Sequence, residues 1–94
     1  MQDKITEEKL EKYFQITEKA LSMAENSKNN TNLDKEREDF LDMIKRYISD
    51  AKHFQKNKDI VNAFAALNYA HGWLDAGARL GLFDVHDSKL FTVD

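Results

Sequence analysis

The chain has no cysteine and no proline. Without thiols there is no disulfide, no thiolate metal site and no cysteine nucleophile. That composition is compatible with a reducing, cytosolic setting. Without proline nothing breaks a helix interior, so long uninterrupted helices are permitted. No apolar stretch near the start reads as a signal peptide. The longest apolar run is interrupted by Asn68, His71, Asp75 and Arg79, so no membrane span is expected. Neither sign of charge dominates: the formal net charge is −3. That leaves no electrostatic footprint for nucleic acid or an anionic membrane.

What is present is a charged, helical sequence of 94 residues, 33% of them Asp, Glu, Lys or Arg. This length makes a single domain, residues 1–94, large enough to bury a core. A first helix is expected over about residues 7–25. Thr6 is its N-cap, Ile5 and Leu10 are spaced as a hydrophobic staple, and Glu7 and Glu8 sit at the positive end of the dipole. Leu10, Tyr13, Phe14, Thr17, Ala20, Leu21 and Ala24 recur at steps of three and four along one face. Residues 26–32 (NSKNNTN) are the clearest breaker and read as an exposed, mobile loop. Asn30-Thr31-Asn32 is not a glycosylation sequon.

A second helix is expected over about residues 33–57, capped by Thr31 or Asn32. Its pattern runs through Leu33, Arg37, Phe40, Leu41, Ile44, Tyr47, Ile48, Ala51 and Phe54. Acidic residues crowd its start and lysines its end, complementing the macrodipole. The short connection 57–59 makes the second and third helices antiparallel neighbours. Asp59 caps the third helix, which runs to about Leu80 with Gly81 as C-cap. Residues 84–94 lack helical period and read as a short extended tail docked through Leu90, Phe91 and Val93.

The third helix divides by angle at about 100° per residue. Ala63, Leu67, Ala70, Leu74, Gly77 and Ala78 form one apolar seam. Ala66, Tyr69, Trp73, Ala76 and Leu80 form a second. Together they are wider than the stripe of a helix with a single partner, so this helix should touch both others, or one of them and a second subunit. Tyr69 and Trp73 read as core against the first helix. Left uncovered, they and Leu80 become an interface, where Trp and Tyr are typical anchors.

The remaining side carries Asn68, His71, Asp75 and Arg79. The last three are spaced i, i+4 and are expected to hydrogen-bond in series. They form either a ligand-binding strip or a solvated face with one ordinary salt bridge. No phosphate loop and no nucleophile–base set is visible. Weak metal candidates are His71 and Asp75 on the helix with Asp84, His86 and Asp87 in the tail. The pairs Arg46/His53 and Arg79/His86 look like the short Arg–His spacing of the HEPN superfamily.

Two longer resemblances follow. Tyr47, Ala51, Phe54, Ala63, Leu67 and Ala70 fall where a tetratricopeptide repeat places its packing residues, with Asp75 where that repeat usually has proline. No second copy is visible, so this implies a helical hairpin rather than a solenoid. The run from Asn68 to Gly77 (NYAHGWLDAG), preceded by Tyr47–Ala51 and Ala63-Phe64 and followed by Arg79-Leu80-Gly81-Leu82-Phe83, resembles a mostly archaeal family catalogued as domain of unknown function 357. The resemblance implies a cytosolic helical bundle, sometimes joined to a nucleotidyltransferase-like domain. It supplies no catalytic role, and directs attention to Gly72, Trp73, Asp75, Gly77, Arg79 and Gly81.

The expected architecture is therefore an all-α, up-down-up three-helix bundle with a tetratricopeptide-like hairpin and a C-terminal tail. The leading functional expectation is a non-enzymatic interaction or assembly module, binding a protein partner or a second copy of itself, with no cofactor. The alternatives are a nucleotide- or RNA-associated domain using His71, Asp75 and Arg79, and a weak metal-dependent activity.

Overall fold

Local sequence signals set the ends of three helices, which the computed structural model describes over residues 5–92. Helix α1 spans Glu7–Glu25, and the Thr6 hydroxyl accepts the Lys9 amide at 3.1 Å, satisfying one of the orphan donors of the first turn. Helix α3 spans Ile60–Leu80, with the Asp59 carboxylate accepting from the Asn62 amide. It ends at Gly81, whose φ of 87° is the left-handed conformation that glycine adopts without penalty. The Leu82 amide then returns to the Gly77 carbonyl at 2.9 Å and the Gly81 amide to that of Ala78 at 3.1 Å, closing a Schellman motif.

Helix α2 spans Asp34–Lys56, and its start differs from expectation. Leu33 occupies the cap position without a side-chain cap. The Thr31 hydroxyl accepts the Leu33 amide and donates to Asn29 Oδ1, so its oxygen acts just before the helix rather than on the first turn. The 26–32 connection is also no free loop. The Asn30 amide donates to the Gly81 carbonyl at 2.8 Å, and the Asp84 amide to that of Lys28 at 2.9 Å. These bonds tie the first connection to the end of α3.

The same Schellman closure ends α2, with the Asp59 amide on Phe54 O and the Lys58 amide on Gln55 O. Here a lysine holds the left-handed position, with φ 61°. A side chain at that φ is strained by about 1 kcal/mol or more. Lys58→Gly is therefore expected to raise the melting midpoint by about 4–8 °C. A circular-dichroism melt checks this, and an unchanged midpoint contradicts it.

The bundle is arranged around α3, which packs extensively on both α2 and α1 while those two barely meet. Fully buried Ala63 and Ala70 allow close approach of its axis, and Leu10, Ile44, Leu67 and Leu74 fill the centre. Each such side chain contributes about 1.5–3 kcal/mol of burial. Tyr13 of α1 meets Phe64 of α3 edge-on at 4.6 Å. Across the α1–α2 gap lie exposed ion pairs, Glu25–Lys45 and Glu18–Lys52.

Trp73 and Tyr69 pack against α2, not α1. Trp73 stands edge-on to Phe40 at 4.8 Å, and Tyr69 stacks on Tyr47 at 5.4 Å. Periodicity placed them on one face of the helix, but that face turns toward the hairpin partner. The segment after α3 is not simply extended either. Leu82, Phe83, Val85, Leu90 and Phe91 are all buried, and a turn closes with the Leu90 and Phe91 amides on the Asp87 carbonyl. Val93, expected to dock with them, lies outside the described residues.

Candidate functional site

The polar strip of α3 closes on the chain's own tail. The imidazole of His71 places Nε2 2.6 Å from the Leu90 carbonyl. A carbonyl only accepts, so Nε2 carries the proton. Nδ1 lies 3.4 Å from the hydroxyl of Thr17, whose side chain α1 buries almost completely. In the neutral ring that hydroxyl donates to Nδ1, so both nitrogens are engaged. One turn on, Asp75 accepts the Thr92 amide at 3.0 Å. A further turn on, Arg79 donates to the Thr92 carbonyl at 2.9 Å.

The three side chains therefore do not bond to one another in series. Each grips a main-chain group of the tail, while Leu90 and Phe91 anchor it in the core. Arg79 stays exposed while it does so, and His71 and Asp75 line an open groove beside Lys89. Asp75→Ala is expected to speed hydrogen exchange of the Thr92 amide by about tenfold, the equivalent of one charge-assisted bond, with little change in melting. An unchanged exchange rate would show that Asp75 does not hold the tail.

The expected metal residues are not brought together. Asp84 and His86 pair at 2.9 Å on the surface. That bond, with one from Asn30, holds the Asp84 carboxyl below its ordinary range. Asp87 is engaged in the turn, its carboxylate accepting the Lys89 amide. Among the described residues no three His, Asp or Glu side chains gather as a metal set. Neither Arg–His spacing pairs its own members. Arg46 bonds Asp42 and His53 meets Asn57, while Arg79 holds Thr92 and His86 holds Asp84.

Asn68 stands where the strip meets a ridge: it lines one groove with His71 and Asp75. It is also exposed on α3 with Tyr69, Gly72, Ala76 and Leu80. On the α2 side of this ridge is an open apolar groove of about 360 Å³ lined by Phe40, Asn68, Tyr69, Gly72, Trp73 and Ala76. On the α1 side a second groove of about 390 Å³ is bounded by Tyr13, Ile16, His71 and Lys89. Tyr69 is 63% and Leu80 59% exposed, unusual for large apolar side chains. Gly72 stands between the grooves, and a Cβ added there meets no atom within 4 Å.

Two structural residues carry more of the architecture than their sequence context announced. Arg37, on the inward side of α2, reaches four carbonyl groups, those of Ala24, Glu25, Ser27 and Leu82. Its guanidinium also lies over the Phe83 ring at 5.4 Å. The opposite neighbour of that ring is Gly77, which leaves the space the ring fills. The presence of Arg in an otherwise apolar pattern was the available signal.

The fold and its surfaces define a small all-α packing module: a central helix, two flanking helices and a tail strapped across one side. Among the described residues no helix is long and apolar enough to cross a membrane. The family follows from most of the helical part. The chain belongs to the family described as Protein of unknown function (DUF357), whose model matches residues 12–83. The match takes in all of α2 and α3 and ends at Phe83. No curated protein and no solved structure matches the chain.

Proposed function

We propose that the chain is a non-enzymatic protein-interaction module whose working surface is the open face of α3. The observation that carries this is the apolar groove beside Gly72, where Tyr69, Trp73 and Ala76 form a helix surface left open among the described residues. A glycine inside a helix costs about 1 kcal/mol relative to alanine. Gly77 has a packing reason in Phe83, and Gly72 has none among the described residues. A partner backbone approaching at Gly72 supplies one. Tyr and Trp are the side chains that commonly anchor such contacts. The cytosolic, archaeal setting implied by the family resemblance is part of this reading.

Affinity capture from extract of the source cells tests it. The tagged chain should retain a stoichiometric partner, either another protein or an untagged copy of itself. Gly72→Glu should lose that partner while keeping the parent's helical spectrum, because position 72 opens on empty space. Equal retention by both chains, or retention by neither, contradicts the reading.

A further inference from the structure

We infer that the partner on this face is a helix of another protein, apolar along one side and edged with lysine or arginine where it meets α2. The inference rests on the interaction-module reading above and adds the shape and charge of what docks.

The open face suits a helix rather than an extended segment. An extended segment brings unpaired amides and carbonyls, which need partners once they are buried. Where this chain does hold such a segment, at its tail, His71, Asp75 and Arg79 bond to the main chain. The groove beside Gly72 has no such set. Its lining is almost wholly apolar, and Asn68 supplies its one side-chain amide. A helix arrives with its main chain already paired and lays an apolar face into a groove of this kind. The face also has the length of a helix. Val61, Ala65, Asn68, Gly72, Ala76 and Leu80 follow one another at steps of three and four, all exposed except the half-buried Ala65. This uncharged row runs along α3, which has 21 residues, roughly 31 Å at the α-helical rise. Its small side chains let a second helix axis come close.

The charge of the partner follows from the α2 rim. The apolar groove continues past Phe40 and Trp73 into a second depression, bordered by Glu36, Asp39, Asp42 and Met43. No cation lines either part. Asp42 pairs with Arg46, whereas Glu36 and Asp39 have no ion pair among the described residues. Arg37 does not offset them, because it is turned onto four carbonyls. Lys35 is exposed nearby but does not border the groove. Glu36 also complements the dipole of α2, but that effect fades beyond the first turn and leaves Asp39 and Asp42 unexplained. The grooves along α1 mix signs, with Lys9 and Lys12 beside Glu8 in one and Lys89 beside Asp75 in another. The Trp73 groove alone among these joins an apolar floor to a rim of one sign. A basic edge on the docked helix complements that rim, and an acidic edge or a nucleic-acid phosphate is repelled by it.

Two synthetic helical peptides test this on the full chain. Both carry the same leucine and alanine face and no Trp or Tyr, and they differ only in lysine or glutamate along its edges. Trp73 is the one tryptophan of the chain, so its emission reports binding at this groove. In low-salt buffer the lysine peptide should shift that emission and bind about tenfold tighter than the glutamate peptide. Added salt should narrow the difference. Glu36→Gln with Asp39→Asn should bring the two peptides to near parity, and Glu36→Lys with Asp39→Lys should reverse their order. Glu7→Lys with Glu8→Lys makes the same change in net charge on α1 and should leave the preference intact. Circular dichroism confirms that each variant is folded. Equal binding of both peptides, binding of neither, or loss of preference in the α1 variant overturns the inference. If it is overturned while the chain still captures a partner that Gly72→Glu loses, the interaction-module reading stands. If no partner is captured either, both fail.

Discussion

Gly77→Ala is expected to lower the stability of the fold by about 2 kcal/mol, roughly 10 °C in melting midpoint. A methyl group at this position would come within 2.6 Å of Cδ2 of Phe83 and closer still to Cε2. Real Cβ atoms do not reach such distances, so something must move. The ring cannot swing into solvent, because Phe83 is 1% exposed and Arg37 lies over it. The backbone around it is fixed as well, since the Leu82 amide bonds Gly77 O and the Asp84 amide bonds Lys28 O. Overpacking of this kind costs about 1–3 kcal/mol or more. It outweighs the ~1 kcal/mol that alanine gains in helix propensity. Gly72→Ala, five residues away on the same helix, has only that propensity gain. In dilute solution it should stabilise the monomer by up to about 1 kcal/mol. Thermal melts of the two variants side by side check the pair. Equal effects would contradict the packing argument.

Arg37→Ala is expected to cost about 2–3 kcal/mol, for a different reason. One guanidinium satisfies carbonyl groups from three parts of the chain. Ala24 and Glu25 close α1, Ser27 follows it, and Leu82 follows α3. The last carbonyls of a helix have no intrahelical donor, and α1 has no basic residue in its last turn. Arg37 supplies that charge from α2. Its removal takes the guanidinium from the partly buried Ser27 and Leu82 carbonyls at once, while Ala24 O keeps the Ser27 amide and hydroxyl. Arg37→Lys should recover less than half of the loss, because an ammonium lacks the planar fork that spans these acceptors and lies over Phe83. Urea titration of the three proteins measures this. A lysine variant as stable as the parent would show that charge alone suffices.

The helix ends were the most legible part of the fold because their signals are local. Thr6, Asp59 and Gly81 each act within a few residues of their own position, and each does what its residue type suggests. The central role of α3 was legible too, in an apolar arc wider than one partner can cover. The partner of each side was not. Periodicity assigns Tyr69 and Trp73 to a face but cannot say which helix meets it, and they meet α2. The cap of α2 escaped because Thr31 forms a turn one step early. The strip was visible as residues and misleading as chemistry. His71, Asp75 and Arg79 bond to main-chain groups of the tail, and a main-chain acceptor leaves no mark in a sequence. Arg37 is a similar case, since its partners are carbonyls.

The distinction between strip and ridge decides how the molecule works. Asp75 and Arg79 bond to the tail and face it, while Tyr69, Gly72 and Ala76 remain open to solvent beside Trp73. Amide and indole NMR spectra of the labelled chain, recorded with and without the partner retained in affinity capture, compare the two surfaces in one sample. The account predicts shifts on partner binding at Asn68, Tyr69, Gly72, Ala76 and the Trp73 indole. Shifts centred on His71, Asp75, Arg79 and Thr92, or a spectrum that the partner leaves unchanged, would contradict it.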